Sequence, residues 1–257
     1  MCELFGFSSK EKICSNFLLK KFYSHSDKHP HGWGLACINK DEALIEKESK
    51  QASKSNYLKE RLSQPVVAKL LLAHIRYATV GNIYYRNCHP YSIKDNYSRR
   101  WTLIHNGTIF DFPALNTYIK RQRGDTDSER VLLYIVDKIN EAQTKKGSKL
   151  NFEERFALID SIIYEMSAKN KLNLLLTDGR YLYVHTNCAN TLYKLQKDGT
   201  VFFSTQPLTD ENWQKVEFCT PLAFKNGQHI KTGTTHKNEY IENKEALKFL
   251  YQIFSDL

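Results

Sequence analysis

The chain has 257 residues, 41% of them hydrophobic, and a formal net charge of +9 at pH 7. This composition suits a globular protein, and no apolar run approaches the roughly 20 residues that a membrane-spanning helix needs. The densest basic clusters, "SRR" at 98–100 and "KRQR" at 120–123, are short and come without a nucleic-acid-binding signature. We therefore expect a solvated basic surface, with neither nucleic acid nor a membrane as a partner.

The first part of the chain predicts buried strands and one helix. "CELFGFS" and "VVAKLLLAHIRYA" are typical of strands, and "GWGLACIN" of a strand entered through a glycine-flanked turn. "ICSNFLLKKFYS" predicts a helix with one apolar face, formed by Ile13, Phe17, Leu18 and Phe22. An irregular stretch reaches to about Tyr97, and "RWTLIHNG" then predicts a strand that runs into a turn.

The middle of the chain predicts two helices. In "DTDSERVLLYIVDKI", Thr126 and Glu129 have the spacing of a capping box, and an apolar stripe follows them. "NFEERFALIDSIIYEM" predicts a second amphipathic helix. The polar stretch "NEAQTKKGSK" at 140–149 lies between the two helical patterns, and we expect it to be a loop.

From Leu172 onward the hydrophobic period changes to two, which predicts hairpins. "LNLLLTDGRYLYVHT" should turn at Asp178-Gly179, and "TLYKLQKDGTVFFST" at Asp198-Gly199. "EALKFLYQIF" predicts a terminal helix. Because hairpins predominate and βαβ alternation is lacking, the pattern favours an α+β fold of antiparallel sheets covered by helices.

The six cysteines form no CxxC pair and have no zinc-site spacing, and the N-terminus does not look like a signal peptide. We therefore expect a reducing, cytoplasmic location. Cys2 stands out because removal of Met1 would make it the N-terminal residue. It is either a small apolar residue of a buried strand or a nucleophile whose own α-amine, with a reference pKa of about 7.7–8.0, accepts the thiol proton. Position alone favours the structural role.

Other side chains could serve acyl-transfer chemistry. Asn106 and Gly107 in "HNGTI" could donate two N–H groups to an oxyanion, although Asn-Gly is also the commonest tight turn. Arg76, at the end of a predicted strand, could bind a carboxylate in bidentate fashion or form a structural ion pair. Asp127, at the start of a predicted helix, suits either an ammonium ligand or the helix N-terminus.

A run of histidines invites a metal interpretation. "SHSDKHPHGWG" offers His25, Asp27, His29 and His31 within seven residues. These residues lie in a predicted loop, and no second ligand cluster stands out in the sequence, so we expect no metal site. "HGWG" more simply predicts that the backbone passes close to a bulky group.

Taken in order, these motifs resemble one family. "MCELFGF", "HGWG", "HIRYATVGN", "NCHP", "HNGTI" and "GDTDSE" are similar to the class II glutamine amidotransferase domain, which belongs to the N-terminal nucleophile (Ntn) hydrolases. The likeness is greatest to the stand-alone, YafJ-like members, and it extends through "STQPLTDENWQKV" at 204–216. It implies a single glutamine amidotransferase domain over 1–257 and a four-layer αββα sandwich, in which two antiparallel sheets lie between helical layers.

The resemblance also implies a role for each candidate residue. Cys2 would be the nucleophile, with its α-amine as the general base. Asn106 and Gly107 would form the oxyanion hole. Arg76 would bind the α-carboxylate of the substrate, and Asp127 would bind its α-ammonium group.

Three further residues would complete the pocket, and no metal or organic cofactor is implied. Tyr77 and Thr79 would line the carboxylate subsite, and His89 of "NCHP" would help to build the pocket wall. Glu3 stands where many relatives have Gly, which suits the YafJ-like members. Tyr77 and Val80 stand where many relatives have Trp and His, and these two differences bear on the pocket shape and hence on the substrate.

The sequence therefore predicts a cysteine amidohydrolase that attacks the γ-amide of glutamine, or of another γ-glutamyl amide, through a γ-glutamyl thioester on Cys2. One alternative is a γ-glutamyl peptidase that acts on a glutathione-like compound within a complex. Another is a catalytically silent binding or regulatory protein. About 40 residues follow the last motif, fewer than the roughly 50–200 of a usual domain, so acceptor chemistry would need a separate synthase subunit.

Overall fold

The structure is a computed structural model that describes residues 2–39, 42–78 and 81–242. Its strands are, in chain order, β1 (Glu3–Cys14), β2 (Trp33–Asn39), β3 (Glu42–Glu48), β4 (Val67–Ile75), β5 (Tyr91–Lys94), β6 (Arg100–Thr108), β7 (Lys171–Thr177), β8 (Leu182–His185), β9 (Tyr193–Lys197), β10 (Thr200–Ser204), β11 (Gln214–Lys215), β12 (Leu222–Lys225) and β13 (Gln228–Thr232). The α-helices are α1 (Asn16–Ser24), α2 (Asn56–Arg61), α3 (Asp127–Lys146) and α4 (Phe152–Met166). Within these ranges, no helix has the length and apolar character needed to cross a lipid bilayer.

The strands form two antiparallel sheets that face each other. The first has the order β11-β9-β10-β1-β4-β2-β3, and the second β13-β12-β8-β7-β6-β5. Across the interface, β1 packs against β6, β7 and β12. Side chains of α1 and α2 cover the outer face of the first sheet, and α3 and α4 cover that of the second. This arrangement confirms the predicted α+β sandwich of four layers.

Alternation along the central strands distributes apolar side chains among three clusters. On β1, Phe5 packs in the cluster with α1 and α2, whereas Leu4 packs between the two sheets. On β6, Leu103 packs in the cluster with α3, whereas Ile104 packs between the sheets. Because successive side chains of a strand point to opposite faces, each of these strands contributes to two cores.

The two long helices, α3 and α4, have different N-terminal caps. At the start of α3, the Thr126 hydroxyl accepts the N–H of Glu129 at 3.3 Å, as the capping-box spacing requires. The Glu129 carboxylate, however, accepts the N–H groups of Arg123 and Gly124 instead of closing the box on Thr126. At α4, Asn151 and Glu154 form a complete capping box. The cap of α3 is therefore one half of the motif that the sequence predicts.

The loop predicted at 140–149 is wrong over 140–146, because α3 continues to Lys146, and only 147–149 lie in the connection to α4. Glu, Ala, Gln and Lys are good helix formers, and the side chain of Gln143 is buried, where it donates to Asn96 at 2.6 Å. Gly147 ends the helix with a φ of 73°, a left-handed conformation that suits glycine. Tertiary contacts thus extend a segment whose composition alone looked loop-like.

Two Gly-containing turns behave differently from each other. Asp198-Gly199 joins β9 to β10 as predicted, with φ values of 48° and 69°. The β7–β8 connection spans four residues, 178–181, rather than two. The fully buried Asp178 carboxylate fixes this connection, because it accepts the N–H of Tyr181 at 2.8 Å and pairs with Arg155 of α4 at 2.9 Å.

Other differences concern strand limits. β1 continues to Cys14, so Ile13 lies on a strand and the predicted helix begins at Asn16. The stretch expected to be irregular up to Tyr97 contains β5, which pairs with β6. The predicted terminal helix "EALKFLYQIF" lies outside the described residues.

Candidate active site

Cys2 lies where the first sheet brings two distant segments together. It directly precedes β1, and the antiparallel pairing of β1 with β4 sets Glu3 opposite Ile75. Arg76 and Tyr77 follow β4, so this register brings them next to Cys2. The Cys2 thiol donates to the Tyr77 carbonyl at 3.3 Å, and the Tyr77 N–H donates to Cys2 Sγ at 3.4 Å.

The surroundings of Cys2 keep its thiol protonated. Burial raises the pKa of the Cys2 thiol, the hydrogen bond from the Tyr77 N–H and the positive charge of Arg76 partly oppose this, and the negative charge of Asp127 adds to it. Both charges therefore lie close enough to act on the sulfur. Because the thiolate is the reactive form, this cysteine needs a base before it can attack a carbonyl carbon.

Arg76 is buried and its guanidinium faces backbone carbonyls. It donates to the carbonyls of Asn82 at 2.9 Å and Gly81 at 2.8 Å. The Arg76 backbone N–H donates to the Gly32 carbonyl at 2.8 Å, and the Arg76 backbone carbonyl accepts the His31 N–H at 3.0 Å. The residue thus joins the end of β4 to the segment before β2 and to the segment at 81–82.

Asp127 joins the end of β6 to the start of α3. One carboxylate oxygen accepts the N–H of Ile109 at 2.8 Å, and the other accepts the N–H of Ser128 at 2.8 Å. The side chain is only 5% exposed. A carboxylate in this position is stabilised by the helix N-terminus, which is the structural role that the sequence allowed.

Asn106 and Gly107 lie inside β6, so the turn that "HNG" predicted is wrong. They pair with Asn173 and Leu172 of β7. Asn106 is on the same face as Ile104, which packs between the sheets, so its side chain points toward the sheet that carries Cys2. Asn106 is 3% exposed, and its side-chain amide makes no hydrogen bond to any other described residue.

Glycine is required at position 107. A Cβ there would collide with the Lys171 carbonyl and with the ring of His105. The His105 ring is itself fixed by two hydrogen bonds. Its Nδ1 accepts from the Ser128 hydroxyl at 3.0 Å, and its Nε2 donates to the Lys171 backbone carbonyl at 3.2 Å. This close packing leaves no room for a side chain at position 107 of β6.

His89 lies behind this region, against the strands of the first sheet. Its ring contacts that of His74 of β4, with centroids 4.1 Å apart and planes tilted by 33°, and meets Tyr91 edge-on at a centroid distance of 4.7 Å. Burial lowers the pKa of both His74 and His89 well below the usual range, so both rings are neutral. A Cβ on Gly34 would collide with the His89 carbonyl, which confirms that "HGWG" passes close to a bulky group.

The remaining predicted pocket residues are only partly described. The Tyr77 ring lies 5.0 Å from that of His31, whose Nδ1 accepts the Ala78 N–H at 2.8 Å. Thr79 and Val80 lie outside the described residues, so the role predicted for Thr79 stays a prediction.

Sequence reasoning missed a buried carboxylate next to the nucleophile candidate. Glu3 is 3% exposed. Its carboxylate accepts from His25 Nδ1 at 2.8 Å and from the Gln206 side-chain amide at 3.0 Å. His29 Nε2 lies 3.7 Å from the same carboxylate. The histidine run considered as metal ligands therefore holds the residue that follows Cys2. The available signal was a charged residue at the start of an apolar strand.

The segment after β10 also holds the start of β1. The Leu4 N–H donates to the Thr205 hydroxyl at 2.8 Å, and the Thr205 N–H donates to the Leu4 carbonyl at 3.0 Å. Gln206 is the next residue and contacts Glu3. The motif "STQP" thus positions the backbone immediately after Cys2.

The sequence matches a known protein family and a bacterial relative over most of its length. The family model described as glutamine amidotransferases class-II matches residues 1–198. YafJ of Escherichia coli (strain K12), assigned as a glutamine amidotransferase, is 29% identical over 245 residues, which cover 84% of this chain and 94% of YafJ.

Solved structures share the fold. The crystal structure of a predicted glutamine amidotransferase from Pseudomonas aeruginosa superposes with a TM-score of 0.64 at 21% identity, over 90% of this chain and 100% of that one. Glutamine phosphoribosylpyrophosphate amidotransferase from Bacillus subtilis gives a TM-score of 0.68 at 17% identity, over 93% of this chain and 50% of that one. At these identities the likeness establishes the two-sheet architecture.

Glu3→Ala should destabilise the fold, because it removes a buried carboxylate that accepts charge-assisted hydrogen bonds from the partly buried His25 and from Gln206. We expect the free energy of unfolding, measured by urea denaturation, to fall by about 1–3 kcal/mol. The matched control is Glu11→Ala on the same strand, whose exposed ion pair with Lys69 contributes at most about 1 kcal/mol. Equal stability of the two variants would show that the Glu3 contacts contribute nothing specific.

The neutral, buried His74 and His89 should make stability depend on pH. Their folded pKa values lie below the unfolded value of about 6.5, so the unfolded chain binds more protons below that pH. Stability should therefore be retained above about pH 6.5 and fall as the pH is lowered, by about 1 kcal/mol per histidine between pH 7 and 5.5.

Urea denaturation at both pH values checks this expectation. His74→Phe should lose about 1 kcal/mol less than the wild type on acidification. His229→Phe, a change of an exposed histidine, should follow the wild type. An acid loss in His74→Phe as large as that of the wild type would contradict the expectation.

Proposed function

Because the chain belongs to the class-II glutamine amidotransferases, we propose that it hydrolyses the γ-amide of glutamine, or of another γ-glutamyl amide, with Cys2 as the nucleophile. The observation that carries this proposal is the position of the Cys2 thiol. It lies against the Tyr77 backbone, within reach of one fixed positive charge, Arg76, and one fixed negative charge, Asp127. A thiol in such surroundings suits a zwitterionic amino-acid substrate.

Removal of Met1 would supply the missing base. A free α-amine on Cys2 has a reference pKa of about 7.7–8.0, so a useful fraction is neutral near pH 7.5. This amine takes the thiol proton, directly or through a water molecule, and the sulfur attacks the amide carbon. The raised pKa of the buried thiol makes such a base necessary.

The oxyanion would form against β6. The Asn106 side-chain amide and the Gly107 N–H are the proposed donors. Support comes from the face on which Asn106 lies, from its burial, and from its lack of another partner among the described residues. Donors fixed in a strand cost little reorganisation when the negative charge develops, which is why such arrangements favour the transition state.

The head group of the substrate would bind between the two charges. Arg76 is proposed to hold the α-carboxylate, with Tyr77 and Thr79 lining that subsite, and Asp127 to hold the α-ammonium group. His89 is proposed to support the wall from behind, through its contact with His74. A guanidinium and a carboxylate that both act on the thiol would together select a free amino acid over a simple amide.

Water would complete the reaction by hydrolysing the covalent intermediate. The tetrahedral intermediate expels ammonia, or an amine, which takes up a proton from the Cys2 ammonium group. Water attacks the γ-glutamyl thioester, glutamate leaves, and the thiol and amine are restored. No metal ion or organic cofactor is needed for these steps, and a synthase partner would be needed only for transfer to an acceptor.

Two wider features belong to the same proposal. We propose one amidotransferase domain over 1–257, since the strands beyond the matched residues 1–198, β10 to β13, pair in the same two sheets. We also propose a cytoplasmic location, which the six free cysteines support, because thiols persist in a reducing compartment.

Glutamate release from glutamine and from a panel of γ-glutamyl amides tests the activity. Protein shown by intact mass to lack Met1 should release glutamate, and Cys2→Ala should not. A form that retains Met1 should be inactive, because its Cys2 amine is an amide without a basic lone pair. Cys14→Ala, a change of an exposed thiol at the far end of β1, is the matched control and should keep full activity.

The panel also separates the alternatives. If processed protein releases glutamate from no substrate unless a partner is added, the stand-alone hydrolase proposal is wrong and an obligate complex replaces it. Release from a glutathione-like peptide alone would favour the γ-glutamyl peptidase. Full activity of the Met1-retaining form would rule out the N-terminal amine as the base.

Asn106→Ala tests the oxyanion hole. Loss of one such donor should lower kcat by about 10²–10³, equivalent to about 3–4 kcal/mol, while the melting temperature shows that the fold survives. Asn116→Ala, a change of an exposed asparagine, should leave kcat unchanged. An unchanged kcat in Asn106→Ala would make Asn106 a strand residue without a part in the reaction.

A further inference from the structure

A large cavity opens at one end of the sandwich, between the outermost strands of the two sheets. β3 ends the first sheet and β5 ends the second, and the cavity between them, which we call the edge cavity, has a volume of about 810 Å³. Ligand sites in proteins are usually about 300–1,000 Å³. Cys2, Arg76 and Asp127 do not line the edge cavity, so it is separate from the candidate active site.

The edge cavity gathers positive charge from several segments of the chain. Within the described part of the chain, six cationic side chains line it, and these are Lys47, Arg86, Lys94, Arg100, Arg121 and Arg123. The two basic clusters "SRR" and "KRQR", which looked like dispersed surface charge in the sequence, supply three of them. The fold therefore concentrates charge that the sequence shows as two separate short runs.

Four of these cations already have a carboxylate partner. The pairs are Lys94 and Arg100 with Glu42, Arg121 with Asp137, and Arg86 with Asp125. Glu129 is the one carboxylate among the lining residues that the structure describes, and both of its oxygens accept backbone N–H groups. Among the described residues, six cations thus face four carboxylates, which leaves an excess of two positive charges.

Lys47 and Arg123 are the two lining cations that form no ion pair with a carboxylate among the described residues. The Lys47 ammonium group donates to the Cys88 carbonyl at 2.7 Å and lies over the rings of Tyr85 and Tyr91, at 5.0 and 5.3 Å. It is half-buried, and burial lowers its pKa. An ammonium group removed from water and left with neutral partners gains strongly from a nearby anion.

We propose that the edge cavity binds a small phosphate-bearing molecule, with Lys47 and Arg123 as its direct ligands. A phosphate group supplies the two negative charges that the cavity lacks, and guanidinium groups match its oxygens. The exposed ring of Tyr85 and the apolar side chains of Ile45, Ile93 and Leu133 offer contacts for the rest of the molecule. The cations converge on one cavity and do not form a stripe, which favours a small molecule over a nucleic acid.

Calorimetric titration with inorganic pyrophosphate, in a buffer free of phosphate, tests the proposal. The wild type should bind, and Lys47→Met and Arg123→Ala should each bind at least 10-fold more weakly. Arg180→Ala removes the same charge from an exposed position outside the cavity and should bind like the wild type. Cys2→Ala should also bind normally, so the outcome does not depend on the proposed hydrolase activity.

Several outcomes would overturn the proposal. These are no binding by the wild type, an equal loss in Arg180→Ala, and equally tight binding of citrate, which would indicate general attraction of anions. Affinity that rises with the length of a single-stranded oligonucleotide would point to nucleic acid instead. Circular dichroism checks folding, and if Lys47→Met is unfolded, Arg123→Ala decides the question because Arg123 is exposed.

Discussion

The antiparallel register between β1 and β4 is the constraint on which the rest of the site depends. It sets Glu3 opposite Ile75, and this pairing brings Cys2 next to residues 75 positions away in the chain. A slip of one residue would turn every side chain of β1 to the other face and would move Phe5 out of its helix-covered core. The apolar alternation that builds the fold therefore also fixes the position of the thiol.

Charged and polar groups around the start of β1 add a second level of order. Glu3 is held by His25 and Gln206, while Arg76 and Asp127 are fixed by backbone carbonyl and N–H groups. Every one of these side chains is buried or faces a buried partner, so each depends on its neighbours for hydrogen bonds. Such mutual dependence keeps the thiol, the positive charge and the negative charge in fixed relative positions, which is what an acyl-transfer site requires.

The sequence by itself predicted most of the secondary structure, because helix caps, turns and hydrophobic periods are local signals. The Thr126 cap, the stripe of α3, the Asp198-Gly199 turn and the change of period after Leu172 each involve residues a few positions apart, whose preferences act directly on the backbone. The α+β class followed from these elements. The ordered motifs that begin at Cys2 then indicated the family and its four layers, since their residue types and spacing are more specific than any one of them alone.

The tertiary structure decided what depends on contacts between distant segments. Pairing with β7 made Asn106 and Gly107 part of a strand although Asn-Gly favours a turn, and burial of Gln143 extended α3 through a polar stretch. Only the folded chain joined Glu3 to the histidines of the "SHSDKHPH" run, and only the meeting of two sheet edges collected separate basic clusters around one cavity. The physical reason is common to all of them: strand pairing and burial can reverse a local preference of about 1 kcal/mol, and no short stretch of sequence records which distant partner will do so.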